Sequence, residues 1–217
     1  MTASAADARR LAAASLAAGD PTGWFEQLYA QARDGQAEVP WDVAAPSAHL
    51  RALDLPAGDG RRALVVGCGP GRDAEHLAAL GYAVTAFDIS ATAIDLARGR
   101  HPSSSVDYVV ADLLDPPVAW RHGFDLVLES NNVQALPADI RARAITVPGT
   151  FVAPGGLLIV LAAATSRVDS DGSGPPWPLT RAEVDAFASD GLRPISITQV
   201  DAAGTTLPTR WQALFTR

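Results

Sequence analysis

Five consecutive residues, Gly67-Cys68-Gly69-Pro70-Gly71, follow a short apolar run, and three of them lack a Cβ. Such a backbone turns sharply and lets a ligand approach closely, while a helix starting behind it offers unpaired N-H groups and the positive end of its dipole. An anionic group is expected to rest there. Asp88 ends the next apolar run, and a carboxylate that accepts from two adjacent hydroxyls suits a ribose diol. Asp112 and Glu129 close two further apolar runs in the same way. Cys68 lies inside the turn where a small residue fits, which gives it a packing role rather than that of a nucleophile. His49, His76, His101 and His122 have no ligand spacing, so no metal site is expected.

Positioning these groups takes alternating strands and helices. Ala63 to Val66 reads as a strand, and a helical pattern follows the glycines through Leu80. Ala83 to Phe87 is the second strand, and Ser90 caps a helix over Ala91 to Arg100. Strands over Val106 to Val110, Phe124 to Leu128 and Leu157 to Leu161 continue the pattern, with Asp139 to Val147 helical between the last two. Continuous apolar runs of this kind belong to a parallel sheet covered by helices on both faces, whose ligands sit at the carboxyl ends of the strands.

The two ends of the chain depart from simple alternation. Ala3 to Ala18 is an alanine-rich helix, and Thr22 to Arg33 is a second, with Trp24, Phe25, Leu28 and Tyr29 making one apolar face. A short helix is expected over His49 to Leu55. Residues 165 to 178 form a loop rich in Gly, Ser, Asp and Pro, after which Thr180 caps a helix reaching about Ala188. Strands over Arg193 to Val200 and Thr209 to Thr216 are joined by a link too short for a crossover helix, so they pair as an antiparallel hairpin.

The 217 residues suit one domain with a substantial core. With 17 basic residues, all arginine, against 24 acidic ones, the net charge is −7, which disfavours nucleic acid and favours a small-molecule partner. The single cysteine excludes an intramolecular disulfide. Neither a signal peptide nor a membrane-spanning run is legible, so the expected location is cytoplasmic. The oligomeric state is left open.

A dinucleotide fingerprint would need glycine at position 72, where Arg72 stands. The order V-V-G-C-G-P-G-R-D followed by F-D-I-S instead resembles the first motif of class I S-adenosylmethionine-dependent methyltransferases. Pro40-Trp41-Asp42, Gly174-Pro175-Pro176-Trp177 and Leu179-Thr180-Arg181-Ala182-Glu183-Val184 are similar to the thiopurine and thiol methyltransferase branch, and the likeness spans residues 20 to 217. In that branch an arginine or acidic residue after the fourth strand meets an anionic acceptor. Here Ser130-Asn131-Asn132 stand in its place, which argues against a thiopurine-like acceptor.

The resemblance implies a Rossmann-like, seven-stranded, mostly parallel sheet with one antiparallel strand. It also implies a single domain in which residues 1–60 cover the active site of a 61–217 core. Gly67, Gly69 and Gly71 would cradle the methionine part of S-adenosylmethionine, Asp88 its ribose, and Ile89 the adenine, whose edge Asp112 and Leu113 would bond. Trp41 would close over the cofactor, and Glu129 would lie by its amino group and the reacting methyl as the one candidate base. Trp24, Tyr29, Asn131, Asn132 and Trp177 would wall the pocket of a small acceptor with an S, O or N nucleophile, with Arg167 on its lid. Two alternatives are a non-catalytic domain that binds S-adenosylmethionine or its product, and a nicotinamide-dependent oxidoreductase.

Overall fold

A computed structural model describes residues 3–165, 174–201 and 209–217. Helices α1 (Ala3–Ala17), α2 (Gly23–Arg33) and α3 (Ala48–Arg51) precede the sheet. There follow β1 (Arg62–Val66), α4 (Arg72–Ala79), β2 (Ala83–Asp88), α5 (Ala91–Arg100), β3 (Asp107–Val110) and β4 (Phe124–Ser130). The chain continues through α6 (Ala138–Phe151), β5 (Val152–Ala163), α7 (Arg181–Asp185), β6 (Arg193–Val200) and β7 (Arg210–Thr216).

The seven strands form one sheet in the order β3-β2-β1-β4-β5-β7-β6. The pairs among β1 to β5 are parallel, whereas β7 runs antiparallel to both β5 and β6, the single reversed strand expected from the hairpin. Apolar side chains alternate between two cores. Leu64 and Val66 point into one face with Phe124, Phe151 and Phe215, and Ala63 and Val65 into the other with Leu77 and Ile94. Each fully buried Leu, Val or Phe is worth roughly 1.5–3 kcal/mol, so this two-sided burial is what holds the strand tips in place. Because β7 is reversed, it starts at the end of the sheet where the parallel strands stop, and Arg210 pairs in register with Ala163 at the end of β5.

A third, smaller core joins the amino-terminal helices. Trp24 and Leu28 on α2 pack with Leu11 and Ala12 of α1 and Ala135 beyond β4. The Glu26 carboxylate of α2 then ties these helices to the sheet domain, accepting from Ser90 Oγ (2.6 Å), Thr92 Oγ1 (2.5 Å) and Thr92 N (3.1 Å) at the start of α5. Burial pushes the Glu26 carboxyl up, but these hydrogen bonds outweigh it and leave it below the ordinary value.

Several boundaries differ from those read in the sequence. Helix α6 runs on past Val147 to Phe151 with Pro148 inside its last turn, where it can donate no backbone hydrogen bond. Strand β5 starts at Val152 rather than Leu157, with an irregularity in its pairing with β4 opposite Pro154-Gly155-Gly156. Helix α7 is only five residues long, held by a full capping box between Thr180 and Glu183. Helix α3 stops at Arg51. Arg167 and residues 166–173 of the expected lid lie outside the described residues.

Candidate active site

The carboxyl ends of β1 to β4, the start of β7 and the amino-terminal segment enclose one cavity of about 1070 Å³. Its floor is the glycine turn. Gly67, Gly69 and Gly71 have φ of 57°, 51° and 92°, in the left-handed region that favours glycine. A Cβ on Gly69 would lie 2.7 Å from the Tyr29 hydroxyl, and one on Gly67 would overlap the Asn132 side-chain amide. Gly67 and Gly69 face the cavity. Gly71 does not: its α-carbon is covered by Tyr108, whose hydroxyl a Cβ would overlap, so its part is to let the chain turn into α4. Lacking a side chain, Gly71 leaves the first turn of α4 without a side-chain cap.

Asp88 is buried at the tip of β2 and lines the cavity. Its two oxygens accept the backbone N-H of Gly69 and of Ser90, both at 2.9 Å. Burial raises its carboxyl to about 6 even though those N-H groups favour the charged form. Ile89, Asp112 and Leu113 line the same side. Asp112 uses one oxygen to accept from Leu114 N at 2.8 Å, an Asx turn that fixes its loop.

Trp41 and Tyr29 close the cavity from the amino-terminal side, joined by a 2.7 Å hydrogen bond from Trp41 Nε1 to the Tyr29 hydroxyl. The strap carrying Trp41 is fastened at two points. Asp42 makes a bidentate pair with Arg100 of α5 at 2.6 and 2.7 Å, and Ser47 N donates to Asp73 Oδ1 of α4 at 2.8 Å. Burial, and then the nearby Asp88 charge, push the Tyr29 phenol well up. Cys68 is pushed up by the same two causes, so its thiol stays protonated.

Asn131 and Asn132 line the other side. Besides Gly71, three residues expected at the site are not on the cavity wall. Trp24 turns away into the amino-terminal core, stacked on Phe25 at 4.0 Å between ring centroids. The ring that shares a helix face with Tyr29 is Phe25, four residues before it, and Phe25 lines the cavity in its place. Trp177 folds back over Gly174 of its own segment, and Pro175 and Pro176 reach the wall instead.

Glu129 is the third. Fully buried, it accepts with Oε1 from the N-H of Asn132 (2.8 Å) and of Val133 (2.9 Å), bracing the 3-10 turn Val133–Ala135 from below. Its Oε2 has no hydrogen-bond partner. Burial raises this carboxyl to about 7, against those two N-H groups and the charge of Arg210. The registry explains the placement: Glu129 pairs with Val66 and Val160, both of which face the α6 side core.

Arg210 and Arg72 also line the cavity, and sequence reasoning passed over both. The signal was available for Arg210, since a reversed last strand must start at the end of the sheet where ligands sit. Among the described residues there is no cluster of His, Cys, Asp and Glu able to hold a metal ion, and no helix long and apolar enough to cross a membrane.

The profile of the family described as Methyltransferase domain matches residues 63–156, from the apolar run of β1 into β5. The chain is 28% identical over 172 residues to the probable thiol methyltransferase 2 of Arabidopsis thaliana, covering 76% of this chain and 74% of the plant protein. It is 34% identical over 134 residues to the ubiquinone biosynthesis O-methyltransferase of Xanthomonas oryzae pv. oryzae, covering 55% of this chain and 54% of that protein, about half its length. The N-methyltransferase NodS from Bradyrhizobium japonicum, solved with S-adenosylhomocysteine, has the same fold, with a TM-score of 0.67 at 21% identity over 88% of this chain and 97% of its own.

Proposed function

We propose that the chain is a class I S-adenosylmethionine-dependent methyltransferase whose cavity holds the cofactor against the glycine turn, Asp88 and Asp112, and a small S- or O-nucleophile beside Asn131 and Asn132. A single observation carries this: the glycine turn and strand-tip acids share one continuous space of about 1070 Å³ with Phe25, Asn131, Asn132 and Arg210. That volume is at the upper end for one small-molecule site, so it admits two ligands. The relatives described as thiol and O-methyltransferases favour sulfur or oxygen as the atom methylated.

The residues present fit the cofactor. A Cβ at Gly69 would intrude on the space in front of the turn, and Asp88 turns a buried carboxylate toward it. Asp88 would bind the ribose hydroxyls, Ile89 would pack on the adenine, and Asp112 with Leu113 would bond its edge. S-adenosylmethionine, when bound, supplies an electrophilic methyl on a sulfonium. The chain's own task is alignment and dryness. Trp41, Phe25 and Tyr29 shut out water, while Asn131 and Asn132 orient the acceptor, and holding two reactants in line is worth on the order of 7–11 kcal/mol. No general base on the wall is needed for an acceptor that arrives ionised. Glu129, braced beneath the turn, is assigned a positioning role.

Calorimetric titration with S-adenosylmethionine, S-adenosylhomocysteine and NAD tests the cofactor assignment. Micromolar binding of the first two without the third is expected, and binding of NAD alone overturns it. A screen of thiols, phenols and amines with radiolabelled S-adenosylmethionine then tests the acceptor class, which transfer to amines alone would refute.

A further inference from the structure

Three arginines line the cavity. Arg100 is paired with Asp42 at 2.6 Å and Arg72 lies 3.6 Å from Asp73. Arg210, by contrast, has no carboxylate within ion-pair distance among the described residues. Its guanidinium instead donates through Nη2 to the side-chain oxygen of Asn131. That asparagine is itself held in the left-handed region at φ 62°, and its side-chain oxygen also accepts from Gln134 Nε2 at 3.3 Å. Asparagine is among the few non-glycine residues that tolerate this region, and here it fixes the side-chain oxygen toward Arg210.

The charge at Arg210 is costly where it stands. Burial, and then the like charge of Arg72, push the guanidinium below its ordinary value, against the pull of Glu129. Its field reaches further: after burial, Arg210 is what lowers the imidazole of His49 on α3. Glu129 does not act as a full counter-ion, because it lies beyond ion-pair distance of Arg210 and spends Oε1 on two backbone N-H groups. In a chain of net charge −7, a partly buried cation facing a cavity with no acidic partner within ion-pair distance among the described residues is an arrangement that a ligand's negative charge completes.

Resting on the division of the cavity proposed above, we infer that Arg210, aimed by Asn131, is the anion-binding end of the acceptor half, so that the acceptor is held as an anion. The charge is either a carboxylate carried elsewhere on the acceptor or the ionised reacting atom itself. The planar fork of arginine suits the first bidentately and the second as a charge-assisted donor that favours deprotonation before transfer. Arg210 is then a specificity residue, selecting acidic acceptors over neutral ones of the same shape.

The test is calorimetric titration of the protein saturated with S-adenosylhomocysteine at pH 8.5, using two probe pairs of matched shape. Benzoate against benzamide reads a fixed carboxylate; 4-nitrophenolate against 4-nitroanisole reads an ionised acceptor oxygen. At least one anion should bind about tenfold tighter than its neutral partner, the worth of one charge-assisted hydrogen bond. Arg210→Gln should bring that ratio within twofold while its affinity for S-adenosylhomocysteine stays within threefold, and Arg210→Lys should fall between. An unchanged ratio in Arg210→Gln overturns the inference. So does equal or undetectable binding of both members of each pair to the wild type, a reading that stands even if Arg210→Gln fails to fold. Parallel loss of S-adenosylhomocysteine in Arg210→Gln would assign Arg210 to the cofactor half instead. Failure of the wild type to bind S-adenosylhomocysteine at all is a different result, which refutes the cofactor assignment.

Discussion

The carboxylate of Asp88 accepts the backbone N-H of Gly69 at 2.9 Å, so the tip of the second strand and the turn after the first are one unit. Asp88→Ala therefore loosens the turn and removes the proposed ribose acceptor, whereas Asp88→Asn keeps the shape and loses the charge. We expect Asp88→Asn to bind S-adenosylhomocysteine about tenfold to a hundredfold more weakly, from hydrogen bonds to a charged group worth about 1.5–3 kcal/mol, and Asp88→Ala more weakly still. Calorimetry with a parallel thermal melt reads both. Wild-type affinity in Asp88→Ala would remove Asp88 from the site.

Binding should also follow the protonation of Asp88. On the proposed cofactor placement its ionised form would accept from two hydroxyls, and its carboxyl is raised to about 6. Affinity for S-adenosylhomocysteine is then expected to be flat above pH 7 and to fall by up to tenfold per pH unit below about 6. In Asp88→Asn that limb of the profile should vanish. A wild-type affinity independent of pH from 5 to 8 contradicts this.

Glu129 makes an opposite demand on stability. A carboxyl held at about 7 in the fold against an ordinary 4.5 contributes stability fully present below 4.5 and lost as pH rises through 7. The total is roughly 3 kcal/mol. Glu129→Gln removes the titration, so its stability relative to wild type should climb by about that amount between pH 5 and 8 in urea melts. Parallel curves for the two proteins would show that Glu129 does not titrate in this range.

Gly69 and Tyr29 should be coupled. Alanine at 69 is strained at φ 51°, by roughly 1–2 kcal/mol, and its Cβ would also press on the Tyr29 hydroxyl at 2.7 Å. Tyr29→Phe removes the second problem and not the first. Gly69→Ala is therefore expected to cost less stability in the Tyr29→Phe background, and a double-mutant cycle on thermal unfolding that closes additively would deny the contact.

Breaking the Asp42 to Arg100 pair should act on kinetics. As a partly exposed pair it is worth at most about 1 kcal/mol to folding. The strap it fastens carries Trp41 over the cavity, so Asp42→Ala should release S-adenosylhomocysteine several-fold faster with little change in melting temperature. Stopped-flow tryptophan fluorescence measures the off-rate. A large stability loss with an unaltered off-rate would make the pair structural only.

Much of this was legible in the residues because the glycine-turn side of the cavity is built from local signals. A glycine turn between an apolar run and a helix, and acids at successive strand ends, place themselves through strand periodicity alone. The reversed β7 was also legible, since a link as short as 201–209 leaves no room for a crossover. What escaped depended on packing between distant segments. Whether Trp24 or Phe25 faces the cavity is decided by where α1 lies, which nothing in α2 records. Glu129 looked like a cavity residue because it ends a strand, but its register with Val66 and Val160 turns it beneath the loop. Arg210 comes to the cavity only through long-range pairing with β5.

The two walls of the cavity are drawn from separate stretches of the chain. Residues 65–89 and 111–113 furnish one, while 22–46, 130–136 and Arg210 furnish most of the other. On the proposed division, acceptor preference would be free to drift at positions that do not touch the glycine turn, such as Arg210 and Pro175-Pro176, whereas changes in 22–46 or at Asn132 would also disturb the methyl donor's seat, because Tyr29 and Asn132 press on Gly69 and Gly67.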